Sequence, residues 1–178
     1  MRYRLAPLLA ALALLGACGG DDSDDSDDGG DEPTTTTAAA EPTPVADGPV
    51  IARIVVQIDD QLRPLLATAR PCIQSDAAAC TGEALKAYQQ LDDLAGATDL
   101  LNSVVTEGAS MYSGELDPSL AGRFDETLNL GTTAREASEA AQAACLPDFG
   151  AGCAEANAAL DAALIDLLKN FNAWRREL

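Results

Sequence analysis

The amino-acid sequence predicts an all-α fold, a four-helix bundle of two disulfide-closed helical hairpins preceded by a disordered acidic tether. Three observations predict it. Apolar residues recur at spacings of three and four along four segments that follow residue 47. Four cysteines form two pairs with the same C-x7-C spacing, and each pair lies between two of these segments. Residues 19–48, in contrast, contain almost no large apolar side chain.

The N-terminal segment has the pattern of an export signal. Two arginines precede an apolar stretch over residues 5–15, which is shorter than the roughly 20 residues that a membrane-spanning helix needs and fits a signal peptide. The stretch runs into the sequence Leu15-Gly16-Ala17-Cys18. This sequence resembles the lipobox of bacterial lipoproteins. The resemblance implies that residues 1–17 are a cleaved signal peptide and that a lipid on Cys18 anchors the chain outside the cytoplasmic membrane.

The segment over residues 18–48 is predicted to be a tether that begins with the lipidated cysteine. Its acidic run, residues 21–32, repels itself and cannot bury enough surface to fold. The run does not match the EF-hand loop pattern, so no calcium site is predicted. The adjoining threonine and proline segment resembles O-glycosylated stretches of exported actinobacterial lipoproteins, and an unmodified spacer remains open. The implied candidates for O-glycosylation are Thr34, Thr35, Thr36 and Thr37.

The folded domain, predicted over residues 49–178, begins with two helical segments. Asp47 is a candidate N-cap, and Pro49 would lie in the first turn of the first helix. Pro64 is expected to kink or divide this helix, and the β-branched run over residues 50–58 leaves a strand as the alternative. The second helix is predicted to run from about residue 81 to about residue 107.

Two further helices follow. Asp117 and Pro118 form the second candidate helix start. The apolar stripe of this third helix consists largely of alanine, which predicts close packing against a neighbouring helix. The fourth helix, predicted from Cys153 to Trp174, has the clearest amphipathic pattern in the chain.

The four cysteines after residue 70 are predicted to form disulfides, because an exported chain matures in an oxidising compartment. The favoured pairing is Cys72–Cys80 and Cys145–Cys153, since each spacing suits closure of one turn between helices. The other two pairings stay open, because an up-down-up-down bundle brings both turns to one end. Pro71 and the glycines of the second turn are expected to interrupt the helices around the pairs.

Charge and composition narrow the function. From Asp47 onward the chain has 20 acidic and 9 basic residues, a net charge of −11, which disfavours nucleic acid as a partner. The sequence has no histidine, so the usual zinc ligand and the Ser-His and Cys-His nucleophile pairs are missing. We therefore expect no enzyme activity, no cofactor and no metal site.

The sequence leaves two hypotheses for function. The first is a noncatalytic, membrane-anchored envelope module that binds another protein or a wall component. Its candidate contacts are three apolar residues predicted to lie outside helices, Met111, Tyr112 and Phe149, whose alternative role is to cap the core. The second is a carrier for an apolar or cationic small molecule held between helices. The side chains small enough to leave room for it, or to pack closely, are Ala134, Ala137, Ala141 and Ala144.

Overall fold

The computed structural model describes residues 43–108 and 112–178. The predicted signal peptide, the predicted lipid site at Cys18 and the four candidate threonines lie outside these residues. Within the described part of the chain the fold is all-α, with no strand beyond one isolated backbone bridge between Ala46 and Leu116. The helices are α1 (Gly48–Ile73), α2 (Gly82–Tyr88), α3 (Leu91–Ala95), α4 (Ala97–Glu107), α5 (Ala121–Cys145) and α6 (Cys153–Trp174). The predicted bundle is confirmed, and α2, α3 and α4 together form its second arm.

Helix α1 begins where the sequence predicts and then passes through both of its prolines. The carboxylate of Asp47 accepts a hydrogen bond from the backbone N–H of Val50, which caps the first turn. Pro64 lies within the helix and does not divide it, so the expected division was wrong. The helix ends at Ile73, two residues after Pro71, so the expected interruption around the first cysteine pair is confirmed. Pro64 lies on the exposed side of α1, where water can serve the carbonyl that a proline leaves without its helical donor.

The second arm is not the single helix that its apolar stripe predicts. The chain breaks once after Tyr88 and again at Gly96, which gives three short helices. Gly96 lies against helix α5, since a Cβ atom there would be 3.3 Å from the Cδ atom of Arg135. The hydroxyl of Thr98 donates to the carbonyl of Ala95, 3.1 Å away, across the second break. These breaks let the arm follow the surface formed by α1 and α5.

Helices α5 and α6 pack together over most of their length, as the alanine-rich stripe of α5 predicts. The buried face of α5 includes small residues such as Gly131 and Ala134, so neighbouring helices can approach it closely. Near the far end of this pair, Trp174 is fully buried, and its indole N–H donates to the hydroxyl of Thr127, 2.8 Å away. The α5–α6 pair therefore supplies a large part of the core.

Both disulfides form at one end of the bundle with the predicted pairing, Cys72–Cys80 and Cys145–Cys153. This result excludes the two rival pairings. The two turns are neighbours, because the Sγ atom of Cys153 lies 3.9 Å from the hydroxyl of Ser75 in the first turn. The expectation that an up-down-up-down bundle brings its two turns together is thus confirmed.

Candidate binding groove

A groove of about 730 Å³ lies on the outside of the bundle between α1 and α6. Its apolar lining comes from Leu66 and Ile73 of α1 and from Leu164 and Leu168 of α6. Leu164 is buried and the other three are half-buried. These positions recur at helical spacing beside the core-facing stripe of each helix, so each helix presents a second, shallower apolar stripe. The two stripes face each other across the groove.

The groove exists because the walls between these apolar residues are made of small side chains. Ala67 of α1 and Ala154 and Ala158 of α6 all line it and are exposed. An alanine side chain is too short to close the space between two neighbouring helices. Ile165, also on the α6 wall, remains 44% exposed, which is high for a large aliphatic side chain on a helix that packs in a bundle.

The groove has charged side chains on both walls. Arg63 and Arg70 line the α1 wall and Asp161 lines the α6 wall. Arg70 is exposed in the last turns of α1. Among residues 43–108 and 112–178, no carboxylate lies within ion-pair distance of its guanidinium.

Arg63 is held in place at one end of the groove. Its Nη2 atom donates to the side-chain oxygen of Asn172, 2.9 Å away. Its Nε atom lies 2.9 Å from Oδ1 of Asp59, a contact close enough for an ion pair but not aligned as a hydrogen bond. Asp59 is fully buried and also receives a hydrogen bond from Nε of Arg175 at 2.9 Å. Arg63 therefore stabilises a buried carboxylate in addition to lining the groove.

At the other end, the groove reaches a satisfied polar network beneath the disulfide turns. Asn157, which is 1% exposed, donates to the carbonyl of Cys72 at 2.8 Å and to the hydroxyl of Ser75 at 3.0 Å. Its oxygen accepts from the hydroxyl of Tyr88 at 2.6 Å. Burial raises the pKa of Tyr88 to about 12, so this phenol stays a neutral donor near pH 7. Because its partners are all supplied by the protein, Asn157 serves to join the helix ends.

Two of the three candidate contact residues lie in the described part of the chain, and both pack against the core. Tyr112 is buried at 5% exposure and donates to the backbone carbonyl of Val104, so it caps the core and its ring is not offered to a partner. Burial also raises the pKa of Tyr112. Phe149 is half-buried against the core in the second disulfide turn, at a φ of 48°. Met111 lies outside the described residues.

The small residues that matter for the groove are not those of the carrier hypothesis. Ala134 and Ala141 are fully buried in α5, and Ala137 and Ala144 are half-buried. None of these four alanines lines the groove. The sequence did contain a pattern that marks the groove, since exposed alanines recur at helical spacing on α6 and two arginines lie seven residues apart on α1. That signal has no meaning until α1 and α6 are known to be neighbours.

Other findings bear on function without identifying it. In the part of the chain that the structure describes, no three metal-binding side chains are grouped so as to hold an ion. Nor is any helix of residues 43–108 and 112–178 both long and apolar enough to pass through a bilayer. Comparison with known proteins found no matching family model, curated relative or solved structure.

Proposed function

We propose that this protein is an exported, lipid-anchored and noncatalytic binding module that takes up part of another envelope component in the groove between α1 and α6. The lipid on Cys18 would hold the domain to the outer face of the membrane, and the acidic tether would give it reach. The observation that carries the binding role is the groove itself, which has a volume of about 730 Å³ and is lined by half-buried leucine and isoleucine side chains and by the exposed Ile165.

Two features support the location. The sequence Leu15-Gly16-Ala17-Cys18 resembles a lipobox. Two acyl chains on Cys18 would bury more methylene groups in the membrane than one acyl chain, and would therefore anchor the protein far more firmly. The two disulfides are compatible with a compartment outside the cytoplasm.

The shape of the groove favours a macromolecular partner over an enclosed small molecule. Alanines on both walls leave it open to solvent along its length, whereas sites for small ligands usually bury most of the ligand surface. The carrier hypothesis keeps one supporting observation, since about 730 Å³ falls within the range of small-molecule sites. Arg63 and Arg70 in the walls disfavour the cationic ligands that this hypothesis includes.

The anchor is tested by replacing Cys18 with serine in the full chain and growing cells with an alkyne-tagged fatty acid. We expect the native chain to carry the tag and to sediment with membranes, and the Cys18→Ser chain to lose the tag. A chain that keeps the tag after this substitution, or a native chain that never acquires it, would contradict lipidation at Cys18.

The groove is tested with a photo-reactive amino acid incorporated at Ala158 in the anchored protein in its own cells. The matched control is Glu139, which is equally exposed but lies on α5. We expect a discrete crosslinked product from Ala158 and none from Glu139. Equal labelling from both positions, or none from Ala158, would show that the groove is not the binding surface.

Native mass spectrometry of the nonreduced protein tests the carrier alternative, which requires a small-molecule adduct that survives purification.

A further inference from the structure

We infer that the Cys145–Cys153 disulfide is a redox switch at one end of the groove. A dithiol reduces it before it reduces Cys72–Cys80, and its opening loosens the part of the groove wall that the first turns of α6 form. Three differences between the two disulfide-closed turns point to this switch: their backbone hydrogen bonds, their composition and the groups around their sulfur atoms. Only the biological effect of the switch rests on the proposed binding role of the groove.

The first turn is held closed by hydrogen bonds as well as by its disulfide. The carboxylate of Asp76 accepts from the backbone N–H groups of Ala78 and Ala79, both at 3.1 Å. The backbone carbonyl of Asp76 accepts from the N–H of Cys80 at 2.8 Å, and its own N–H donates to the carbonyl of Pro71 at 2.9 Å. Opening this turn enough to admit a reductant would break several of these bonds together.

The second turn has fewer such bonds and a more flexible backbone. The N–H groups of Leu146 and Phe149 donate to carbonyls of α5, whereas the other N–H groups of residues 146–152 have no backbone partner in the described part of the chain. Gly150 and Gly152 give this turn conformational freedom that the alanines of the first turn lack. Nothing lies within 4 Å of a Cβ atom placed at either glycine. The second turn can therefore open with few broken bonds and no displaced neighbour.

The reduced form of the second bridge is stabilised by the groups around Cys153. This residue is the first of the 22-residue helix α6, and the positive end of a helix dipole stabilises a thiolate. The side-chain amide of Asn157 also donates toward its Sγ atom, 3.6 Å away. Cys72 of the other bridge lies in the last turn of α1, where the dipole disfavours negative charge. Asp148 and Glu155 oppose a thiolate at Cys153, but both are exposed and their charges are screened by water.

The reductant is a dithiol, such as the Cys-x-x-Cys pair of a thiol–disulfide exchange protein. Its thiolate forms a bond to the Sγ atom of Cys145, the bond between Cys145 and Cys153 breaks, and Cys153 leaves as the stabilised thiolate. The second thiol of the reductant then displaces Cys145 and closes the reductant's own disulfide. The protein gains two electrons and two protons, which leaves two cysteine thiols, and the dithiol loses the same number of each.

The switch is coupled to the groove because two residues beside Cys153 also line it. The hydroxyl of Ser75 lies 3.9 Å from the Sγ atom of Cys153, and Asn157 donates to Ser75 and to the Cys72 carbonyl. Both Ser75 and Asn157 are groove-lining residues, as is Ala154 in the first turn of α6. Once the bridge is open, the second turn no longer fixes the start of α6. The end of the groove wall is therefore fixed in the oxidised protein and loosened in the reduced protein.

The order of reduction is measured on the full-length protein, purified without reductant and then incubated with dithiothreitol in native buffer. Samples taken over time are alkylated with excess iodoacetamide and digested with trypsin. Cleavage after Lys86 and Arg135 places the two bridges in different peptides, so mass spectrometry follows each bridge separately. We expect Cys145–Cys153 to be reduced at least about tenfold faster than Cys72–Cys80, which is the factor that one net hydrogen bond contributes to an opening equilibrium.

Asp76→Ala tests the cause of this difference. The substitution removes the carboxylate that accepts from Ala78 and Ala79, so it should speed reduction of Cys72–Cys80 about three- to tenfold and leave the rate at Cys145–Cys153 unchanged. The matched control is Asp148→Ala, which makes the same change in charge at an exposed position of the second turn. This control should leave the rate at Cys72–Cys80 unchanged.

The effect on the groove is measured by hydrogen–deuterium exchange at a dithiothreitol dose that reduces only Cys145–Cys153. We expect exchange to rise several-fold in residues 156–160 of α6 and to stay unchanged in residues 127–134 of α5. Equal reduction rates at the two bridges, as global unfolding would give, or faster reduction of Cys72–Cys80 would overturn the switch. Unchanged exchange in residues 156–160 would overturn its link to the groove. Neither measurement needs a partner, so a failure of crosslinking at Ala158 would contradict the binding role alone.

Discussion

Replacing Gly131 with alanine should destabilise the domain, although alanine is the better helix former. Gly131 is buried in the middle of α5, and a Cβ atom there would lie 1.8 Å from Oγ1 and 2.6 Å from Cγ2 of Thr98 on α4. Thr98 is fully buried and its hydroxyl is bonded to the carbonyl of Ala95, so its side chain has no free space to enter. The contact between α4 and α5 must therefore open.

The size of the effect follows from two opposing terms. Overpacking by one methyl group costs about 1–3 kcal/mol, and the depth of the overlap with Thr98 places Gly131→Ala at the upper end of that range. The higher helix propensity of alanine offsets this cost by up to about 1 kcal/mol relative to glycine. We expect the free energy of unfolding to fall by about 2 kcal/mol and the melting temperature by roughly 5–10 °C.

The assay is urea and thermal unfolding of the nonreduced protein, followed by circular dichroism, with Gly122→Ala as the matched control. Gly122 also lies in α5, and nothing lies within 4 Å of a Cβ atom placed there, so this substitution should be neutral or slightly stabilising. Adding Thr98→Ala to Gly131→Ala should recover part of the loss, which a double-mutant cycle measures. If Gly131→Ala is as stable as Gly122→Ala, the close approach of α4 and α5 is wrong.

Three further predictions concern the end of the bundle that carries the disulfides. Replacing Cys72 and Cys80 together by alanine should lower the free energy of unfolding by about 2–3 kcal/mol, because the closed loop of the unfolded chain is released; an unchanged urea midpoint would contradict this. Asn157→Ala should cost about 1–3 kcal/mol, since it leaves the buried hydroxyl of Tyr88 without its acceptor. The matched control, Asn129→Ala at an exposed position of α5, should cost less than about 0.5 kcal/mol. Burial raises the pKa of Tyr88 from 10.0 to about 12, so on raising the pH the unfolded chain loses the phenol proton before the folded chain does. The free energy of unfolding should therefore be constant with respect to this group below pH 10, and should fall by about 1.4 kcal/mol per pH unit as the pH rises from 10 toward 12. Tyr88→Phe should flatten the pH dependence of the urea midpoint over this interval, and an equally steep dependence in that variant would count against the assignment.

The parts of the fold that the sequence predicted correctly depend on local patterns. Residues three and four apart share a helix face whatever the rest of the chain does, which is why α1, α5 and α6 were found near their true limits. The pairing of Cys145 with Cys153 is likewise a short-range matter, since each disulfide joins residues eight positions apart across one turn.

The parts that were missed depend on contacts between distant residues. The second arm breaks at Gly96 where it meets Arg135 of α5, and no pattern within residues 81–107 contains that neighbour. Pro64 was expected to kink or divide α1, yet the helix continues through it to Ile73. Tyr112 could have been exposed or buried on the sequence alone, and its burial was decided by its packing beside Val104 of α4.

The sequence by itself determined the all-α class, the two disulfide-closed turns and the acidic character of the domain, because helix periodicity, cysteine spacing and charge are properties of short stretches of chain. The candidate lipid anchor at Cys18 is also a property of a short stretch and remains a prediction. The tertiary structure alone decided where the candidate groove lies. The groove exists because Arg70 of α1 and Ala158 of α6, 88 positions apart in the sequence, lie on facing walls, and only the packing of the bundle makes those two helices neighbours.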